Sequence, residues 1–90
     1  MDNDELQDLR KSLDNIDNAL VYLLAERFRV THKVGLHKKA AGMQPVDPAR
    51  EARQFERIQK LATEAGLDPE FASNMLRLII DEVVKRHRAL

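Results

Sequence analysis

Residues 6–34 have the sequence LQDLRKSLDNIDNALVYLLAERFRVTHKV, in which apolar residues recur at alternating intervals of three and four positions. Such a repeat places its side chains on one face of a single long helix, which packs that face against other helices. Arg27 occupies a position where the repeat requires an apolar residue. We call the apolar members the apolar stripe; they are Leu6, Leu9, Leu13, Ile16, Leu20, Leu23, Val30 and Val34.

Arg27 and Lys38 together indicate a binding site. A guanidinium within an apolar stripe is at least partly removed from water, and burying a charge without an anionic partner is costly. Lys38 lies about three helical turns further along the helix, so it returns to nearly the same face roughly 16 Å away. Two cations on the inner face of one helix predict a pocket for a small anion.

Composition excludes several classes of function. The chain has 90 residues, which we expect to form one small domain over 1–90, and its 15 basic and 15 acidic residues give no net charge. That balance argues against a nucleic-acid partner, which favours a basic protein. The absence of cysteine excludes disulfides, a thiolate nucleophile and Cys-ligated zinc. Without a membrane-length apolar run or a signal-peptide pattern, we expect a cytoplasmic protein with no membrane partner.

Helix-capping signals divide the chain into three helices. The first helix is expected over about Asp4–Ala41, where Gly42 ends it. Two further helices begin at Asp47-Pro48 and Asp68-Pro69, because each pair combines an N-cap side chain with proline at the first helical position. The second helix is expected to end at Gly66, which is a typical C-cap. The fold class is therefore all-α, with one long and two shorter helices.

The long helix requires more apolar cover than one chain can give. It measures roughly 55 Å, which two shorter helices that fold back once cannot cover. An uncovered apolar patch of that size marks an interface, so we predict a homodimer in which two long helices pack together. The shorter helices have their own inner faces, expected to comprise Ala52, Phe55, Ile58 or Gln59, Ala62, Ala72, Met75, Leu76, Ile79 and Val83.

Polar residues near the predicted pocket form a candidate site. The start of the second helix adds side chains beside free N–H groups that favour anions. Arg10 lies roughly 42 Å before Lys38 on the same helix, so it could complete only the site of a partner chain in an antiparallel dimer. The candidates are Arg10, Arg27, Lys38, Asp47, Arg50, Glu51 and His87.

Each candidate also has an ordinary structural explanation. Arg10, Arg50 and Glu51 are typical of solvated helix surfaces, and Lys38 is typical of a frayed, solvated helix end. Arg27 can extend its charged end from the edge of a stripe into water. Asp47 is explained by helix capping, and a histidine near a helix C-terminus complements the helix dipole. No set of residues has metal-ligand spacing, so we expect no metal, and the residues alone predict an all-helical dimer with an anion pocket.

The ordered set of motifs resembles the all-helical class of chorismate mutases over nearly the whole chain. The matching stretches are Leu9-Arg10, Ile16-Asp17, Leu23-Leu24-Ala25-Glu26-Arg27, Val34-Gly35 with Lys38, Pro45-Val46-Asp47, Arg50-Glu51 and Leu78-Ile79-Ile80. The resemblance implies an intertwined homodimer with two equivalent sites. It also implies the rearrangement of chorismate to prephenate, without a cofactor or a covalent intermediate.

The resemblance assigns a role to each candidate. Arg10 of the partner chain and Arg27 would bind the two substrate carboxylates, and Lys38 would donate to the ether oxygen. Glu51, with the backbone near Asp47, would hold the ring hydroxyl, and Arg50 would support the carboxylates.

Two positions depart from the family pattern. Val83 stands where many members carry a small hydroxyl residue that contacts a carboxylate. His87 stands where a glutamine or glutamate contacts the ether oxygen, and a histidine can still donate there. Two other functions stay open: an isochorismate pyruvate-lyase on the same scaffold, and a non-catalytic helical dimer with a regulatory role.

Overall fold

A computed structural model describes the backbone of residues 2–90 and the side chains of residues 3–90. Met1, with which the expected domain begins, lies outside the described residues. The described chain forms three helices and no strand: α1 over Asp2–Ala40, α2 over Pro48–Ala65 and α3 over Pro69–Arg88. The prediction of one long and two shorter helices is therefore confirmed, with bounds close to those expected.

The chain divides into two compact units, the first ending at Thr31 and the second comprising His32–Leu90. Helix α1 continues through this division as 39 residues of α-helix. All eight members of the apolar stripe are 43–68% exposed in the single chain. Monomeric proteins rarely leave so many large apolar side chains contiguous and in water. The lack of cover predicted for this face is therefore confirmed.

The end of α1 is fixed by backbone hydrogen bonds around Gly42. The Gly42 N–H donates to the carbonyl of Lys39 at 3.2 Å, and the Met43 N–H donates to the carbonyl of Lys38 at 2.8 Å. This pair of bonds is the Schellman motif, which requires a left-handed residue, and Gly42 has a φ of 69°. The motif turns the loop 41–47 back toward Lys38.

Helices α2 and α3 begin at the predicted caps. An Asp47 carboxylate oxygen accepts from the Arg50 N–H at 3.1 Å, and an Asp68 oxygen accepts from the Glu70 N–H at 3.0 Å. Each bond satisfies one of the backbone donors that a helix N-terminus leaves without an intrahelical partner. Gly66 ends α2 with a φ of 76°, as predicted.

Helices α2 and α3 pack antiparallel across a small core. The amide Nε2 of Gln59 donates to the hydroxyl of Ser73 at 3.0 Å near the turn. Glu51, at the start of α2, pairs with Arg77 further along α3. The core residues between the helices are only 2–6% exposed, and they are Ala62, Ala72, Leu76 and Ile80.

The predicted inner faces need two corrections. Ala52 is exposed, because α2 faces α3 through positions 51, 55, 58 and 62, so Glu51 takes the place expected for Ala52. Met75 is also exposed, and Ile80, which the predicted face did not include, is buried. Ala72, Leu76 and Ile80 follow the four-residue spacing that keeps side chains on one helical face. The remaining positions are buried or half-buried as expected, and of the two alternatives Ile58 is half-buried and Gln59 is exposed.

Gly66 allows a test of how α2 is ended. A Cβ at this position meets no atom within 4 Å, so substitution adds only backbone strain at a φ of 76°. Gly66→Ala should lower the free energy of unfolding by about 1–2 kcal/mol, the usual cost of a left-handed non-glycine residue. Gly66→Asn should cost less, because asparagine adopts this conformation more readily. Urea denaturation at one fixed protein concentration measures both, and an alanine variant as stable as the parent would contradict the account.

Candidate active site

A cavity of about 250 Å³ lies within the second unit, where the end of α1, the following loop and the end of α3 come together. Two predicted site residues, Lys38 and His87, line it together. The structure therefore brings a lysine from α1 and a histidine from α3 to one cavity. The other lining residues are Gly35, Lys39, Met43, Pro45, Arg88 and Leu90.

The loop holds the Lys38 side chain at the cavity. The residue is half-buried, and its Nζ donates to the carbonyl oxygen of Pro45 at 3.3 Å. The Schellman motif at Gly42 turns the chain back and so brings this carbonyl within reach. An ammonium has three N–H donors, and one bond to the loop leaves donors for a bound ligand. Lys38 is thus a positioned cation that can donate to an oxygen in the cavity.

Gly35 allows the close approach of α1 and the last turn of α3. Gly35 is buried, and a Cβ built there would lie 2.5 Å from His87 Cδ2, 2.7 Å from His87 Nε2 and 2.8 Å from Leu90 Cδ1. Real Cβ atoms do not come this close to neighbours in packed interiors. The half-buried imidazole therefore occupies space that any larger residue at position 35 would take.

The residues predicted at the start of α2 lie outside the lining of this cavity. Asp47 is half-buried and caps the helix through the Arg50 N–H, and Arg50 itself is exposed. Glu51 is half-buried and pairs with Arg77 of α3. Val83 is half-buried on α3, one turn before His87, and does not line the cavity either.

The two arginines predicted to bind carboxylates belong to the first unit. Arg10 is exposed on α1, and Arg27 is half-buried further along the same helix. The predicted roles of Arg10 and Arg27 toward a substrate stay predictions.

Arg77 pairs with the candidate site residue Glu51, and the sequence did not identify it. Its guanidinium Nη1 lies 3.2 Å from Glu51 Oε1 and 3.4 Å from Asp81 Oδ1. The same guanidinium lies 4.6 Å from the centre of the Phe55 ring, a cation–π contact. The hydrogen bond that Arg77 donates to Glu51 is the main cause that raises the pKa of Arg77; Asp81 also raises this pKa, and burial lowers it.

Sequence reasoning also missed the role of Gly35, although a signal existed. A glycine inside a long helix costs stability unless packing or function requires it. Arg77 gave no comparable signal, because charged residues are common on helix surfaces and its partner lies on another helix.

Among residues 3–90, no three His, Asp or Glu side chains lie close enough together to hold a metal ion. None of the described helices is both long and apolar enough to cross a membrane.

A family model described as chorismate mutase type II matches residues 9–88. The chain is 32% identical over 78 residues to a chorismate mutase of Methanocaldococcus jannaschii, a match that covers 87% of this chain and 79% of the relative. It is 30% identical over 81 residues to a 4-amino-4-deoxychorismate mutase of Streptomyces venezuelae, with 90% and 79% covered.

Longer proteins contain a similar segment. The chain is 35% identical over 78 residues to the T-protein of Enterobacter agglomerans, a match that covers 87% of this chain and only 21% of the relative. A bifunctional chorismate mutase/prephenate dehydratase of Aquifex aeolicus is 37% identical, with 20% of its length covered. The chain thus spans most of the short relatives and about a fifth of the long ones. With the family model matching residues 9–88, this chain belongs to the type II chorismate mutases, a family of enzymes.

Proposed function

We propose that residues 1–90 form one helical domain that rearranges chorismate to prephenate as an intertwined homodimer. The observation that carries the proposal is the Lys38 ammonium, held by the Pro45 carbonyl beside a cavity of about 250 Å³. In this reaction a C–O bond breaks as a C–C bond forms, without a proton transfer. Catalysis therefore needs a compact substrate conformer and fixed donors at the ether oxygen, where negative charge grows.

The basic residues of the site have separate roles in binding and catalysis. Arg27 and Arg10 of the partner chain grip the two substrate carboxylates, because a guanidinium binds a carboxylate through two parallel hydrogen bonds. Lys38 donates to the ether oxygen. His87, which shares the cavity with Lys38, supplies a second donor there. Because Lys38 acts on charge that develops during the reaction, it stabilises the transition state more than the ground state.

The start of α2 binds the ring of the substrate. The Glu51 carboxylate accepts from the ring hydroxyl, together with the backbone near Asp47. Arg50 supports the binding of the carboxylates. Val83 cannot donate the hydrogen bond that a hydroxyl residue would give, so carboxylate binding depends more heavily on the arginines.

The homodimer is supported by the exposure of the apolar stripe. Covering one large apolar side chain contributes about 1.5–3 kcal/mol, so a second copy of the stripe offers a strong driving force for association. An antiparallel arrangement brings the exposed Arg10 of one chain toward the middle of the other. A cytoplasmic location stays a prediction from the sequence.

The direct test adds purified protein to chorismate and follows the loss of its ultraviolet absorbance, with prephenate identified as the product. A separate reaction with isochorismate and detection of pyruvate tests the lyase alternative. Pyruvate release without prephenate formation would favour the lyase. A folded protein that acts on neither substrate would favour the non-catalytic regulatory dimer.

Lys38 provides the sharpest test of the mechanism. Lys38→Ala should lower kcat by roughly 100- to 1000-fold, as does the loss of other donors to developing negative charge. Lys33→Ala is the matched control, since it removes an exposed lysine of the same helix. Steady-state kinetics on both variants measure the effect. A Lys38→Ala enzyme with normal kcat and a raised KM would make Lys38 a binding residue only.

Mixing inactive variants tests whether the site is shared between chains. Arg10→Ala and Arg27→Ala should each abolish most activity, because each removes a carboxylate grip. A heterodimer of the two variants has one site with both substitutions and one intact site. Mixed protein should therefore recover up to about a quarter of parental activity when exchange is complete, because half of the dimers carry one intact site of two.

Two measurements make the mixing experiment decisive. Sedimentation equilibrium should give twice the chain mass of 10.4 kDa for the parent and both variants. Exchange between differently tagged chains should be demonstrated in the same mixture. Full exchange without any recovery of activity would place Arg10 outside the partner's site, and a folded monomer would exclude the shared site altogether.

A further inference from the structure

We propose that Arg77 is a positioning residue for Glu51, and that the Glu51–Arg77 pair makes the site prefer a hydroxyl over an ammonium on the substrate ring. The inference rests on the proposed function, in which Glu51 accepts from the ring hydroxyl. It adds Arg77 to the proposed site and gives a physical basis for the choice between a hydroxyl and an ammonium on the substrate ring. Both side chains lie within the second unit of the chain.

The pair is built into the packing of α2 against α3. Glu51 Oε1 lies 3.2 Å from Arg77 Nη1, and the glutamate side chain is only 19% exposed while the arginine is 50% exposed. Glu51 shares the face of α2 that packs on α3 with Phe55, Ile58 and Ala62. Its backbone therefore has little freedom, and the ion pair selects among the orientations left to the carboxylate.

Arg77 is itself held in place from two further directions. Its guanidinium lies 4.6 Å from the centre of the Phe55 ring, one helical turn after Glu51. Its Nη1, which also contacts Glu51, lies 3.4 Å from Asp81 Oδ1. A guanidinium fixed by a ring and a second carboxylate loses little additional entropy when it orients Glu51.

The contact engages one carboxylate oxygen and leaves the other as an acceptor. A carboxylate has two oxygens with several lone pairs, so Arg77 on Oε1 does not prevent Oε2 from accepting from a substrate O–H. A neutral hydroxyl needs only that acceptor.

An ammonium at the same ring position would meet a different balance of charge. It would be attracted by Glu51 and repelled by Arg77, which lies at hydrogen-bonding distance from the same carboxylate. Asp81 adds a negative charge, but its exposed side chain contacts Arg77 and is screened by solvent. An ammonium therefore gains less from the Glu51–Arg77 pair than it would from Glu51 alone.

A relative supplies the natural comparison substrate. The Streptomyces venezuelae relative is a 4-amino-4-deoxychorismate mutase, whose named substrate has an amino group in place of a hydroxyl. Chorismate and 4-amino-4-deoxychorismate thus differ at the ring position that Glu51 is proposed to contact. Their relative kcat/KM values report directly on the Glu51–Arg77 pair.

The experiment measures kcat/KM for both substrates with the parent and with Arg77→Gln. The Arg77→Gln variant should show a kcat/KM for chorismate about tenfold below that of the parent. Its amino-to-hydroxyl preference, the ratio of kcat/KM for 4-amino-4-deoxychorismate to that for chorismate, should rise by roughly tenfold, which is the scale of one partly buried charged interaction. Arg77→Met, which preserves apolar contact with Phe55, is a second neutral variant in case Arg77→Gln does not fold. If parental turnover of the amino substrate is undetectable, its inhibition constant against chorismate replaces kcat/KM.

Two further variants separate positioning from general structure. Arg77→Lys retains the positive charge and should keep the parental preference. Asp81→Asn removes the other carboxylate from Arg77 without touching Glu51, so the amino-to-hydroxyl preference should stay unchanged or fall. Thermal unfolding of each variant checks that the dimer fold is retained.

The outcomes distinguish this inference from the proposed function. A parent that is active on chorismate, with neutral Arg77 variants whose preference stays within twofold of the parent, would overturn the inference alone. An equal rise in preference for Arg77→Lys would also overturn it, since the charge would then be irrelevant. A folded parent with no activity on chorismate overturns the proposed function, and this inference with it.

Discussion

The apolar stripe of α1 is the constraint on which the rest of the molecule depends. A helix of 39 residues exposes this stripe along most of its length, and the remainder of a 90-residue chain forms only a small antiparallel pair of helices. Only four residues of α2 and α3 form the core and two of them are alanines, so they supply limited stability of their own. Stability and the completion of the proposed site therefore both depend on what covers α1.

The charges of the proposed site suit a reaction that transfers no proton. Lys38 is held as a donor by a backbone carbonyl, and Glu51 is held as an acceptor by Arg77. Neither contact couples an acid to a base in the manner of a hydrolase. Fixed donors and acceptors on rigid helices suit a reaction whose barrier falls through orientation and through stabilisation of developing charge.

The sequence predicted the helices well because their ends are set by local chemistry. Asp47, Asp68 and Gly66 act through bonds to backbone groups a few residues away, so their roles could be inferred without a structure. The contact between Glu51 and Arg77 joins positions on separate helices. The contact forms only because α2 is rotated so that Glu51 faces α3 and Ala52 faces away. Periodicity in the sequence leaves this rotation uncertain by about one residue.

The geometry of the candidate site could be predicted from the sequence only in small part. Lys38 and His87, which were both expected at the ether oxygen, line one cavity. The remaining candidates line no part of that cavity, and for Arg10 the proposed site needs a second chain. A single sequence cannot specify contacts across an interface, since the two surfaces that meet are far apart along the chain.

Because Gly35 has no side chain, the effect of a substitution at position 35 depends on which residue occupies position 87. Any residue other than glycine there would overlap the imidazole of His87 and the end of Leu90, while both remain in place. A smaller residue at position 87 would make room for a side chain at position 35. The two positions are therefore energetically coupled, and their substitutions should not be additive.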